Sequence, residues 1–124
     1  MSKLKKVVAA TLMAAFVVCA APPADAAVGW QDKAWGFVKS RSPEMASMLG
    51  RSKTLKAVQR DCGVLRGGDT ADVLVKEAEI AANDFGSTFS ERVRFQRWGL
   101  AVLVAASQWA CPEYRREVWV AINS

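Results

Sequence analysis

Apolar residues along the chain recur at helical spacing, and no stretch alternates long enough to make a strand. From about Gly29 to Lys39, the residues Trp30, Ala34, Phe37 and Val38 fall at i, i+4, i+7 and i+8, one stripe of a helix. Ser42-Pro43-Glu44 predicts a new start, with Ser42 as cap and Pro43 in the first turn. Met45, Met48 and Leu49 follow, and Gly50 stops the segment. A third helix is predicted from about Lys53 to Arg66. Leu55, Val58, Cys62 and Leu65 share one face of it, and Lys53, Lys56 and Arg60 lie opposite. Gly67-Gly68 ends that helix. Asp69 is expected to cap the next, with Asp72 in its first turn near the positive end of the helix dipole. Leu74, Ala78, Ala81 and Phe85 form its expected buried stripe, and Asn83 to Ser87 makes a polar turn around Gly86.

Thr88-Phe89-Ser90-Glu91 has the residues of a capping box and opens the longest predicted helix, about Phe89 to Ala110. This helix has two apolar faces. Phe89, Val93, Leu100, Leu103, Val104 and Cys111 lie on one; Phe95, Trp98, Val102 and Trp109 lie nearly opposite. Only Arg94, Arg97 and Gln108 form a polar strip between them, which predicts a central, buried helix. Pro112 ends it or begins a last helix, Glu113 to Ile122, carrying Tyr114, Val118, Trp119 and Ile122. The expected fold class is therefore all-α, a small four- to five-helix domain.

The N-terminus changes how much of the chain belongs to that domain. Lys3, Lys5 and Lys6 precede an uncharged run from Val7 to Ala21, and Pro22-Pro23 ends it. Ala24-Asp25-Ala26 then places small residues where a signal peptidase cuts. The apolar run of about 15 residues falls short of the roughly 20 needed to span a bilayer. Residues 1–26 are thus read as a secretory signal peptide, and 27–124 as a single domain in the secreted, periplasmic or cell-envelope space. Cys19 lies inside the apolar run after Val18, where a lipoprotein signal has a small residue, so it is read as part of the signal. The chain carries 17 Lys and Arg against 12 Asp and Glu, a net +5; the expected leader removes three lysines and one aspartate, leaving 14 against 11, or +3. That balance is too mild to argue for nucleic acid. Cys62 and Cys111 remain, and in an exported domain they most simply join each other. A bridge closing a loop of about 50 residues is worth roughly 4 kcal/mol in chain entropy.

The candidate chemistry is sparse. With no histidine, neither His-based nucleophilic triads nor His-ligated metal sites can form. Paired cysteines leave no thiolate for catalysis or zinc. No Ser-x-x-Lys occurs after the leader, and Gly67-Gly68 is a helix stop rather than a phosphate cradle. No cofactor or metal is expected. Asp61, Asp69, Asp72, Glu77, Glu79 and Glu91 are the carboxylates available for acid–base work, with no spacing that sets two across a cleft. Five tryptophans, Trp30, Trp35, Trp98, Trp109 and Trp119, all follow the leader. Core packing accounts for those on apolar stripes. Trp35 and Trp119 lie off the main stripes, and Phe95, Trp98 and Trp109 share the second face of the long helix. These are the candidate binding surface. Lys53, Lys56 and Arg60 form a candidate basic face, whose plainer reading is solvation.

The two cysteine contexts resemble a family of small secreted helical proteins of unknown function, found mainly in mycobacteria and their phages. The matching stretches are Asp61-Cys62-Gly63-Val64-Leu65-Arg66-Gly67-Gly68, Asp72-Val73 and Ala110-Cys111-Pro112-Glu113-Tyr114. Asp32 with Phe37-Val38 is similar to the family's opening segment. The chain departs from it at Val58, where a glycine is usual, and at Ala110, where an aromatic is usual. The resemblance implies export, helices and one bridge, and it supplies no catalytic residue. The expected function is a non-catalytic interaction module of the cell envelope or extracellular space. It would bind an unidentified protein or an apolar ligand through aromatic surface. The alternatives are a small secreted acid–base enzyme acting on a wall polymer and a secreted inhibitor or effector.

Overall fold

The computed structural model describes residues 23–124, so the charged start and apolar run of the expected leader, with Cys19, lie outside the described residues. The chain divides into two compact units, one ending at Asp32 and the other running from Lys33 to Ser124. Five α-helices appear among the described residues, and no strand. They are α1 (Pro23–Arg41), α2 (Pro43–Arg66), α3 (Ala71–Phe85), α4 (Phe89–Ala105) and α5 (Arg115–Asn123). A π-helical turn, Ala106–Ala110, extends α4, and a 3₁₀ turn, Pro112–Tyr114, leads into α5. No described helix is long and apolar enough to cross a membrane.

The stop expected at Gly50 is a kink rather than an end. Gly50 takes φ 88° and ψ 168°, a region closed to most L side chains, and the helix resumes past it so that α2 joins the two predicted segments. Pro43 occupies the first turn, but the Ser42 side chain makes no capping bond. The Ser42 backbone N–H instead donates to the carbonyl of Val38, at 2.8 Å, which turns the chain directly from α1 into α2. The capping box forms: the Glu91 N–H donates to Thr88 Oγ1 at 3.1 Å, and the Thr88 N–H donates to Glu91 Oε1 at 3.2 Å. Asp69 does not cap α3. The Ala71 N–H donates instead to Oε2 of Glu117, 2.7 Å away on α5, so a remote carboxylate satisfies an orphan donor of that helix start.

The core of the second unit gathers Val38, Met45, Val58, Leu65, Leu74, Val102, Leu103 and Val118, with Cys62 and Cys111 among them. The two cysteines are bonded, their Cα atoms 5.8 Å apart, tying α2 to the end of the π turn. Gly99 lets α3 and α4 approach closely, since a Cβ there would stand 3.1 Å from the Cβ of Ala78. The expectation for α3 holds at Leu74 and fails at its C-terminal end: Ala82 is buried, whereas Ala81 and Phe85 are exposed.

The central-helix expectation holds for only half of α4. Ala101, Val102, Leu103, Ala105, Ala106 and Ser107 are buried, but Phe89 is 76% exposed. Val93, Phe95, Trp98 and Leu100 are half-buried. A domain this small has too few helices to cover both apolar faces of α4 along its whole length. Its N-terminal half therefore borders two open concavities, one on each face.

Candidate functional site

One concavity lies between α2, α3 and α4 and has a volume of about 400 Å³. Leu74, Ala78, Phe95, Trp98 and Val102 supply apolar wall, and Arg60, Asp61, Glu77 and Asp84 supply charge. Two aromatic rings, Phe95 and Trp98, line it, and Phe85 continues the row outside it. Phe85 stacks on Phe95 with centroids 4.6 Å apart, and Phe95 meets Trp98 at 5.6 Å. Trp98 is fixed by its indole, whose Nε1–H donates to Oγ1 of the buried Thr54 at 3.3 Å. Because Thr54 is on α2, this bond joins the aromatic row on α4 to the facing helix.

Asp61 is the unusual member of this wall. It is only 8% exposed. Thr54, Val58, Asp61 and Leu65 fall at i, i+4, i+7 and i+11, so Asp61 occupies the middle of the buried stripe of α2. That spacing was the available signal, and a stripe drawn through Leu55 and Cys62 passes beside it. Burial pushes the Asp61 carboxyl from its ordinary 3.8 up to about 7; the Arg60 guanidinium pulls it back, and the Glu77 carboxylate pushes it further up. Arg60 Nη2 meets Glu77 Oε1 at 2.9 Å, whereas its Nη1 stands 3.7 Å from Asp61 Oδ1. Two of the carboxylates named from the sequence, Asp61 and Glu77, thus border one cleft from facing helices.

The other concavity, about 540 Å³, lies on the opposite face of α4. Phe37, Val93, Leu100, Val104 and Ile122 line it, with Arg41 and Arg97. The Arg41 guanidinium sits 4.6 Å from the centroid of the Phe37 ring.

The candidate aromatic surface is divided. Phe95 and Trp98 share the first concavity. Trp109 packs edge-on against Phe37, centroids 5.6 Å apart. The cause is the π turn. The Cys111 N–H donates to the Ala106 carbonyl at 2.7 Å, an i→i+5 bond that inserts one extra residue into the turn. Side chains within such a widened turn drift from their regular α-helical positions, and those past it are displaced by about 100° around the axis. A uniform helical wheel therefore misplaces Trp109. Trp35 lies under Lys39, whose Nζ is 5.5 Å from the ring centroid, and Trp119 is 59% exposed on α5. Of the candidate basic face, Lys53, Lys56 and Arg60 are all exposed, with Arg60 held by Glu77.

Among the described residues, no group of three or more His, Cys, Asp or Glu could hold a metal ion. Comparison of the chain with family models, with curated proteins and with solved structures finds no match in any of the three.

Proposed function

We propose that this chain is an exported, non-catalytic interaction module of the cell envelope or extracellular space that binds an apolar ligand through aromatic surface. The observation that carries the reading is the pair Phe95 and Trp98 in the wall of an open cavity of about 400 Å³, with Phe85 stacked on Phe95 outside it. Ligand sites are concave, apolar and aromatic, with a few polar groups placed among them. Export draws support from the disulfide and from the leader expected at residues 1–26. The two cysteine contexts add their resemblance to the small secreted proteins of mycobacteria and their phages. Nucleic acid is a poor fit for a mature charge of +3 whose candidate basic face has one of its three cations held by Glu77.

The neutral dye Nile red tests the site. The oxidised protein should bind it with a blue-shifted emission, and Phe95→Ala and Trp98→Ala should each weaken binding several-fold. Undiminished binding in both variants would refute the assignment. Mass spectrometry of the culture medium tests export; a product that keeps residues 1–26 and stays inside the cell would contradict it.

A second reading, an acid–base enzyme acting on a wall polymer, is favoured by one observation. Asp61 holds its proton to about pH 7 in a cleft that the Glu77 carboxylate also borders, and such chemistry uses two carboxyl groups at one cleft. Release of soluble sugars from purified wall by the native protein, lost in Asp61→Asn, would establish it in place of the first.

A further inference from the structure

We infer that the cavity between α2, α3 and α4 takes a small organic cation, an ammonium on an apolar stem, with the charged end at Asp61 and the stem along Phe95 and Trp98. The inference rests on the reading of this cavity as an apolar-ligand site and names the ligand class.

Charge favours a cation. Among the described residues, Asp61, Glu77 and Asp84 border the cavity against one cation, Arg60. The cavity is thus locally acidic on a chain whose net charge is +5. An anionic ligand would meet two carboxylates in excess, and a neutral one would leave them uncompensated.

The surroundings of Asp61 favour a cation as well. Its side chain is 11% exposed and borders the cavity, and among the described residues its ion-pair partner is Arg60. Arg60 Nη1 stands 3.7 Å away, beyond hydrogen-bond distance, while the short contact of that guanidinium goes to Glu77. A buried carboxylate with only a distant ion pair is costly, and an ammonium supplies three N–H donors with the compensating charge. An ammonium near the Trp98 or Phe95 ring would also gain from the negative face of the π system. A metal ion would fit less well, since the described acidic groups do not converge as ligands. The volume of about 400 Å³ suits a whole small ligand.

The charged groups facing Asp61 are Arg60 on its own helix and Glu77 and Asp84 on α3, while α4 presents only Phe95, Trp98, Gly99 and Val102 to the cavity. Ionisation of Asp61 should therefore govern affinity for a cation across neutral pH.

The test titrates the ¹⁵N-labelled, oxidised protein with n-hexylammonium, n-hexanol and hexanoate, following the Trp98 indole N–H signal, assigned with Trp98→Phe. At pH 8, hexylammonium should bind at least tenfold more tightly than hexanol, and hexanoate least. The preference should shrink about tenfold at pH 5 and vanish in Asp61→Asn, whose affinity for hexanol persists. Asp84→Asn, at an exposed position, should weaken hexylammonium several-fold and serves as a second variant. Equal affinity for hexylammonium and hexanol, or a preference unchanged in Asp61→Asn, would overturn the cation assignment and leave the apolar-ligand reading standing. No response of the Trp98 signal to any of the three probes would overturn both.

Discussion

Replacing Asp61 by asparagine should stabilise the fold at neutral pH, and the pH dependence of the gain identifies its cause. The group is a carboxylate whose folded value is raised, so the folded protein keeps this proton longer than the unfolded chain. Below about 3.8 both states hold the proton and burial costs nothing in charge. Between 3.8 and about 7 the unfolded chain ionises while the folded protein does not, so stability falls as pH rises. Above about 7 both are ionised and the loss is complete. The interval of about three pH units, at ~1.4 kcal/mol each, sets a ceiling of about 4 kcal/mol. Asparagine keeps the shape of the protonated acid and cannot ionise. Asp61→Asn should therefore match the parent near pH 4 and exceed it by about 2–4 kcal/mol at pH 8. Urea unfolding of the oxidised proteins, followed by circular dichroism at several pH values between 4 and 8, measures the difference. Glu91, held down chiefly by hydrogen bonds from Ser87, and Glu113, held down chiefly by Arg66, act in the opposite sense in acid. They are present in both proteins and cancel. A stability difference that stays flat from pH 4 to 8 would refute the account of Asp61, as would a variant less stable at pH 8.

Three further outcomes follow from the packing. Reduction of Cys62–Cys111, which closes a separation of 49 residues, should cost about 4 kcal/mol, read as a lower urea midpoint in reductant; an unchanged midpoint would contradict the stapling role. Gly99→Leu should cost about 1–3 kcal/mol by forcing α3 from α4 at Ala78, and thermal melting would show a lowered transition. Thr88→Val should cost about 1 kcal/mol by removing the acceptor for the Glu91 N–H, and amide exchange should quicken first in the opening turn of α4. The Glu91 carboxylate, lowered by its bonds from Ser87 and Thr88, contributes stability present above its ordinary 4.5 and lost as pH falls below it.

The parts of the fold legible in the sequence are those decided by neighbours in the chain. The capping box at Thr88 and Glu91 needs only three-residue spacing. The interruption at Gly50 needs only a residue that tolerates positive φ. The pairing of Cys62 and Cys111 follows from having two cysteines on apolar stripes in a chain read as exported. Features set by burial or by remote contacts were not legible. Ser42 and Asp69 have the right chemistry to cap, yet the first is turned inward with its backbone bonded to Val38, and α3 receives Glu117 from α5. Local capping rules cannot see a carboxylate that arrives 46 positions later.

The site shows the same division more sharply. Phe95 and Trp98 are three residues apart in one regular helix, so a helical wheel brings them together, and the structure does too. Trp109 lies within the five-residue π turn, which no apolar pattern announces, and it packs against Phe37 instead. Asp61 is the telling case. Taken as a charged residue beside Arg60, it belongs on the solvated face of α2. Its position between Val58 and Leu65 on the stripe places it inside. Where residue type and periodicity disagree, one of them is being overruled at a cost in stability. A carboxylate kept on a buried stripe, at the wall of an aromatic cavity, is the kind of cost that binding can offset. On the proposed reading, a ligand therefore meets this protein at Asp61 rather than at the more exposed Trp119.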